Sequence, residues 1–168
     1  MALPAGPEYF RALAGYNAWA NARLYDACAK LNDAEYRKDR GAFFRSIHGT
    51  LNHLLVGDRI WYGRLTATDQ GIRSLDQILH DDLASLRRAR EEEDTRLQAY
   101  CEALGADRAA SILHYTSMAT GQKAALPIST ILAHLFNHQT HHRGQVHAML
   151  TQTGVPAPPL DLLYYALS

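Results

Sequence analysis

Histidines are the residues of this 168-residue chain whose spacing most clearly predicts chemistry. The chain has nine, and five of them lie between residues 134 and 147. His138 and His142 are four residues apart, so on a helix they share one face and are separated by roughly 6 Å along the axis. Two imidazoles at this spacing can bind one divalent cation, as in the HxxxH motif of zinc sites. The sequence therefore predicts a metal site on a helix.

The apolar residues around these histidines indicate which of them face the protein core. With about 100° of rotation per residue, the aliphatic side chains of residues 128–150 centre about 70° from His138. His142 lies about 40° from His138 on the same side, while the other three histidines of this stretch turn away. His138 and His142 are thus the inward-facing pair. We expect His134, His141 and His147 to be exposed or to support the site indirectly.

An inward histidine can also be an ordinary core residue that hydrogen-bonds within the protein. Burying two neutral imidazoles without partners would cost about 1–3 kcal/mol each, and a shared metal ion removes that cost. A metal site that is open for chemistry needs about three protein ligands. His48 and His53 are both candidates for the third ligand, because they flank the apolar stripe of a second helical segment at comparable distances. Their positions alone do not choose between them.

Three polar residues near these histidines are further candidates for a functional role. Asp58 falls within an apolar stripe, where an unpaired carboxylate is costly, so it requires an arginine or the outer N–H of a metal-binding histidine. An arginine partner is the preferred interpretation, and Asp58 is also the candidate general base on its segment. Gln145 points near the predicted metal direction, which makes it a candidate hydrogen-bonding group in catalysis. Arg143 points elsewhere and is expected to pair across helices.

The periodicity of apolar residues predicts four long helices that would position these side chains. The helical segments are 8–30, 42–66, 74–103 and 127–153, with Ser74 and Gln77 as a capping box for the third and Gly154 ending the fourth. Residues 105–127 are interpreted as a loop or weak hairpin, and residues 160–167 as a tail of one or two helical turns. We predict a single all-α domain over residues 1–168, a four-helix bundle with a short C-terminal tail.

Composition excludes several classes of function. Seventeen basic residues balance seventeen acidic ones, so no net charge attracts the chain to nucleic acid or to an anionic membrane. No segment approaches the roughly 20 apolar residues that span a bilayer, and residues 1–7 do not resemble a signal peptide. Cys28 and Cys101 have no CxxC partner and are interpreted as reduced thiols. These features favour a cytoplasmic protein.

Two segments together resemble a known family. Residues 50–61 read TLNHLLVGDRIW, and residues 134–146 read HLFNHQTHHRGQV. This combination is similar to the DinB family of four-helix bundles with a three-histidine metal site, and the likeness extends from about residue 9 to residue 165. The resemblance implies that His53 is the third ligand, beside His138 and His142. It also implies a divalent metal cofactor, Zn²⁺ or Ni²⁺.

The resemblance further implies a type of reaction. Related proteins are metal-dependent transferases and isomerases that use low-molecular-weight thiols, such as bacillithiol transferases and mycothiol-dependent maleylpyruvate isomerase. We therefore expect a thiol-dependent S-transferase or isomerase that acts on small electrophiles. One alternative is a metal-dependent hydrolase with Asp58 as its base, and another is a non-catalytic protein that the metal stabilises or that responds to stress. The expected partners are a small-molecule substrate such as a low-molecular-weight thiol, and a second copy of the chain in a homodimer.

Overall fold

The computed structural model describes residues 6–168, and four long helices form a bundle within this range. The elements in chain order are α1 (Pro7–Cys28), α2 (Asp33–Arg37), α3 (Ile47–Thr66), α4 (Leu83–Glu102), α5 (Ala106–Ala110), β1 (Ile112–Thr116), β2 (Lys123–Pro127), α6 (Ile128–Leu150) and α7 (Leu162–Ala166). Helix α1 packs on α4 and α6, while α3 packs on the same two helices from the other side. The all-α fold class is confirmed, and α7 forms the short tail.

The third long helix begins later than the capping-box pattern predicted. Helix α4 begins at Leu83, after Asp82 accepts a hydrogen bond from the backbone N–H of Ser85. Residues 67–82 are an irregular segment instead, and within it the Gln77 side chain accepts from the backbone N–H of Arg73. The buried Asn52 on α3 holds the end of this segment by accepting from two successive backbone N–H groups at 2.9 and 3.0 Å. These contacts across the fold outweigh the local helix signal.

The second long helix also begins later than predicted, at Ile47 rather than residue 42. Ser46 caps it by accepting from the backbone N–H of Gly49 at 3.0 Å. Arg45, just before the cap, has a positive φ of 67°, which ends any helical continuation towards the N-terminus. Residues 38–46 are consequently a loop between α2 and α3. Phe44 lies in this loop, beside the histidines described below.

Residues 105–127 contain a hairpin, so of the two interpretations of this stretch, loop or weak hairpin, the hairpin is correct. Strands β1 and β2 pair antiparallel, with Ile112 opposite Pro127 and Thr116 opposite Lys123. The short helix α5 precedes the hairpin. Pro127 then ends β2 and directly precedes α6, in which every residue from Ile128 to Leu150 is helical. The hairpin contacts α3 and thereby lies beside the face that carries the histidines.

The bundle interior has two apolar clusters separated by a polar layer. One cluster includes Leu24, Leu51 and Val146, and the other includes Phe10, Leu97 and Leu132. Between them along the helices lie buried polar residues, which we call the polar layer: Asn17, Asn21, Asp58, Arg90, Glu93, Asp94, Gln139 and Arg143. No helix within residues 6–168 is long and apolar enough to cross a membrane.

Candidate metal centre

Three histidines from two helices converge at one point of the bundle. His53 on α3 and the pair His138 and His142 on α6 each offer one ligand atom, and these atoms all lie within 4.8 Å of one another. The Nε2 atoms of His53 and His138 are 3.1 Å apart. The rings of His138 and His142 have centroids 4.4 Å apart, as expected for residues one helical turn apart on the same face. Within residues 6–168 this is the one group of its kind, and it could hold a metal ion.

The hydrogen bonds on the outer nitrogens orient two of these rings. His53 Nδ1 lies 2.8 Å from the backbone oxygen of Leu75, and His142 Nδ1 lies 2.8 Å from Oε1 of Gln145. Both partners are acceptors, so each Nδ1 carries the proton and donates it. In a neutral imidazole the other nitrogen, Nε2, then keeps a free lone pair. Both rings are therefore held in the tautomer that binds a metal through Nε2.

The third ring, His138, is positioned by close packing against α3. A Cβ atom at Gly57 would lie 3.0 Å from Cε1 of His138 and 3.4 Å from its Nδ1. A side chain at position 57 would thus displace the ring from its present position. Gly57 lies one helical turn after His53, and its missing side chain makes the space that the imidazole occupies.

Burial keeps the three histidines uncharged. It lowers the pKa of His138 to about 3, with further lowering from the neighbouring His142 and His53 rings. Burial likewise lowers the pKa of His142 to about 4, against the hydrogen bond to Gln145, which raises it. The pKa of His53 is also lowered, again mainly by burial. At neutral pH all three are neutral imidazoles, the form that binds metal ions, and three such donors suit Zn²⁺ or Ni²⁺.

Phe44 covers one side of the cluster, and this role was not predicted. Its ring stacks on His53 with centroids 3.7 Å apart and an angle of 17° between planes, and its edge faces His142 at 5.7 Å. Sequence periodicity placed Phe44 inside a helix beginning at residue 42, whereas it lies in the loop before α3. Ser46, a residue type preferred at helix N-caps, was the available signal for the true start.

A cleft of about 320 Å³ opens beside the cluster. His53 and His138 form part of its wall, and Trp61, Arg64 and Tyr115 form another part. Strand β1 contributes Tyr115, and the turn that follows β1 contributes Met118. Among residues 6–168, no aspartate or glutamate lines this cleft. Sequence analysis did not identify Tyr115 and Met118 as cleft residues, because the hairpin reaches the cleft only through tertiary packing.

Asp58 lies in the polar layer and has an arginine partner, as the preferred interpretation held. Its Oδ2 accepts from Gln139 Nε2 at 2.6 Å and lies 2.7 Å from Arg90 Nη1. Burial raises the pKa of Asp58 to about 6, and Arg90 opposes this rise. Asp58 is 1% exposed and does not line the cleft. Its contacts are therefore those of a structural ion pair.

The remaining sequence candidates have defined positions. Gln145 contacts the cluster through His142, and its Nε2 lies 3.1 Å from His141 Nε2. Arg143 is buried and donates to Asn17 and Asn21 of α1, so it pairs across helices as expected. His48, the other candidate third ligand, lies apart from the cluster, where its Nε2 is 3.2 Å from the backbone oxygen of His80.

Comparison with known proteins agrees with this arrangement. The family model described as the DinB family matches residues 6–168. Protein DinB of Bacillus subtilis (strain 168) is 25% identical over 162 residues, which cover 89% of this chain and 89% of that protein. Because the family match runs through all four long helices and includes the three clustered histidines, this chain belongs to the DinB family.

Proposed function

We propose that this protein is a metal-dependent enzyme in which His53, His138 and His142 hold one Zn²⁺ or Ni²⁺ ion and a small thiol reacts with a small electrophile. The observation that carries the proposal is a cluster of three neutral histidines beside an open cleft. Catalytic metal sites typically have three protein ligands and leave a position for another ligand, whereas structural sites are closed by four. The cleft gives a small molecule access to that position.

A divalent ion bound there would lower the pKa of a thiol that reaches it, so that a nucleophilic thiolate forms at neutral pH. In a transfer reaction the sulfur forms a bond to the electrophilic carbon, the leaving group departs with the electron pair, and the thiol proton passes to solvent. The protein contributes orientation. The Leu75 carbonyl and Gln145 hold the ligand rings, while Phe44 shields His53 from water on one side.

The thiol must come from a cosubstrate, because the chain's own cysteines are poor nucleophiles. Cys28 and Cys101 are both fully buried, one in each apolar cluster. Burial raises the pKa of each thiol to about 12, so both remain protonated at neutral pH. A nucleophilic sulfur at the histidine cluster therefore belongs to a small molecule.

The surroundings of the cluster favour thiol chemistry over hydrolysis. The hydrolase hypothesis relied on Asp58 as the general base, but this carboxylate is paired with Arg90 and Gln139 in the polar layer. Asp58 does not line the cleft, and neither does any other carboxylate of residues 6–168. A thiol bound to a metal ion is deprotonated outright, whereas a bound water, with a pKa of about 7, is only partly deprotonated, so thiol activation depends less on a separate base.

Metal content is the first test of this proposal. The protein should be purified without a metal-affinity tag and analysed for metals beside His53→Ala, His142→Ala and the control His147→Ala. His147 lies on α6 outside the cluster. We expect stoichiometric metal in the wild type and control and its loss in the other two. Unchanged metal content in His53→Ala or His142→Ala would remove that residue from the site.

Turnover is the second test. Fully metal-loaded protein should be incubated with a panel of thiols, including cysteine and glutathione, and a panel of halogenated and conjugated electrophiles, with loss of free thiol followed over time. We expect consumption above the uncatalysed rate, abolished in His142→Ala. The proposal fails if no combination reacts faster than the uncatalysed control while a known thiol transferase does so under the same conditions.

A further inference from the structure

The cleft beside the histidine cluster has an unbalanced charge. In the part of the chain that the structure describes, Arg64 is the one arginine or lysine that lines the cleft, and no carboxylate lies there to pair with it. The three histidines are neutral, so they would leave the charge of a bound divalent ion uncompensated. With an ion bound, positive charge would therefore lie on both sides of a small, partly apolar space. Such a cleft attracts anions and disfavours cations.

The contacts that hold Arg64 in place leave some of its N–H donors without a partner in the protein. Its Nη2 donates to the backbone oxygen of Thr116 at 2.7 Å. Its Cζ lies 4.5 Å from the centre of the Trp61 ring and 4.8 Å from that of Tyr115, both within cation–π range. Neither Nε nor Nη1 has a hydrogen-bond or ion-pair partner among residues 6–168. Arg59, on the same helix, differs because its Nε lies 3.8 Å from the Glu93 carboxylate.

A half-buried guanidinium without a carboxylate is costly, since it has lost part of its hydration. Burial lowers the pKa of Arg64 for this reason, although the group remains charged. A ligand carboxylate would restore the missing interaction, because two guanidinium N–H groups match its two oxygens. The other walls of the cleft include Ile60, Leu75 and Met118, which suit an apolar ligand body.

We propose that Arg64 is the carboxylate-binding residue of this cleft, and that the protein acts on small organic acids whose reactive end faces the histidine cluster. This inference rests on the proposed function, in that it specifies the substrate class of the same site. The carboxylate belongs either to the thiol or to the electrophile. Arg64 binds it in both cases and orients the molecule with its apolar part along Leu75 and Met118.

Calorimetric titration of zinc-loaded protein tests the proposal with two matched pairs of probes. The thiol pair is mercaptopropionate and mercaptopropionamide, and the electrophile pair is crotonate and crotonamide. Each acid is compared with its neutral amide in the wild type, Arg64→Gln and Arg64→Lys. The control is Arg23→Gln, because Arg23 lies 4.7 Å from the centre of the Trp19 ring, in a similar stacking geometry but outside the cleft.

We expect the wild type and Arg23→Gln to bind at least one acid about ten- to a hundredfold more tightly than its amide, the range for a charge-assisted hydrogen bond. Arg64→Gln should lose this preference and Arg64→Lys should keep part of it. The pair that shows the effect identifies which substrate carries the carboxylate. Zinc content and melting temperature must match the wild type in each variant, so that altered folding is not mistaken for lost binding.

Two results would overturn the proposal. The wild type could show no preference for either acid over its amide, or Arg64→Gln could show the same preference as the wild type. The second result would assign carboxylate binding to the metal ion. Failure of the proposed function looks different. In that case neither thiol probe binds, yet crotonate still distinguishes wild type from Arg64→Gln if Arg64 binds carboxylates.

Discussion

At the scale of single residues, the hydrogen bonds behind the histidines matter as much as the histidines themselves. The Leu75 oxygen and Gln145 each accept from a Nδ1 atom, which leaves a lone pair on Nε2 of His53 and of His142 that can bind a metal ion. The two partners lie in different kinds of structure. Leu75 belongs to an irregular segment, whereas Gln145 lies on a helix, three residues after His142. An imidazole that lacked such a partner would rotate and change tautomer, which weakens a metal site.

Replacing Gln145 by alanine should weaken zinc binding by roughly ten- to a hundredfold, the usual effect of losing a partner behind a ligand. Gln145→Glu should bind zinc at least as tightly as the wild type, because its carboxylate still accepts from His142 Nδ1. Competition against a chromophoric chelator measures both affinities. His141→Ala serves as a control for the second contact of Gln145. Wild-type affinity in Gln145→Ala would show that His142 is held by packing alone.

The metal-free protein should lose stability in mild acid. In the folded chain the pKa of His138 is lowered to about 3 and that of His142 to about 4, whereas both are near 6.5 when unfolded. As pH falls below about 6.5, the unfolded chain takes up protons that the folded chain does not, so the free energy of unfolding decreases. Above that pH these groups add no further dependence.

Urea unfolding of the chelated protein between about pH 7 and about pH 5 measures this effect. Carboxylates contribute to any acid response, so the informative quantity is the difference between the wild type and His138→Gln. The variant should have the shallower pH dependence. Parallel curves for the two proteins would contradict the lowered pKa of His138.

At the scale of elements, the polar layer ties the four long helices together at one height. Arg90 on α4 is its centre: Nη1 lies 2.7 Å from Asp58 of α3, and Nη2 lies 3.0 Å from Asp94 of its own helix. Asp94 in turn accepts from Asn17 and Asn21 of α1. Buried charges of this kind tolerate few alternative arrangements, because each loses its partner if a helix shifts along its axis.

Removing one charge from this layer should therefore destabilise the fold strongly. Arg90→Met keeps most of the side-chain volume but leaves Asp58 and Asp94 without their cation, and we expect a loss of about 3–5 kcal/mol in the free energy of unfolding. The control is Arg87→Met on the same helix, where exposed pairs with Asp26 and Glu91 should contribute less than about 1 kcal/mol. Denaturant unfolding compares the two. Similar losses in both variants would refute the central role of Arg90.

At the scale of the whole molecule, we expect the proposed metal ion and the fold to depend on each other only in part. Within residues 6–168 the candidate ligands come from α3 and α6 alone, and both apolar clusters are closed without an ion. This arrangement differs from small zinc domains, whose core is too small to fold without metal. A bound ion should therefore add stability to a chain that already folds.

Chelation should lower the melting temperature while leaving a cooperative transition. Free zinc at a hundredfold excess over its dissociation constant stabilises a folded protein by about 2.7 kcal/mol. For a domain of this size that corresponds to a shift of roughly 5–10 °C. Calorimetry of loaded and chelated protein measures it. Loss of helical circular dichroism at room temperature after chelation would instead support the alternative of a purely structural ion.

Association into a homodimer stays a prediction. The aromatic residues of α1 are mostly used within the chain, since Tyr16 and Tyr25 are buried and Trp19 contacts Tyr165. Apolar side chains of the tail remain exposed, with Leu163 at 66% and Leu167 at 76%. We expect sedimentation equilibrium to give a dimer mass and Leu163→Glu to shift it towards monomer. A monomer at all concentrations would end the prediction.

The sequence by itself determined the fold class and the inward-facing pair of histidines. Both depend on local helical geometry: a repeat of about 3.6 residues shows which side chains share a face, whatever the rest of the chain does. The same argument left His134, His141 and His147 out of the ligand pair, and the group of possible ligands within residues 6–168 does not include them. The rings of His134 and His141 nevertheless contact those of His138 and His142. The choice of His53 came from family resemblance, because His48 and His53 were equivalent by periodicity.

Only the tertiary structure decided how distant segments meet. It brought His53 to the α6 pair, gave Asp58 its partner on α4, and placed Tyr115 of the hairpin against Arg64. It also made residues 67–82 irregular. Two backbone N–H groups at the end of this segment donate to Asn52, and these hydrogen bonds outweigh the local preference for a helix. Periodicity carries no information about such contacts, since they depend on how helices pack against one another and on which buried polar groups find partners there.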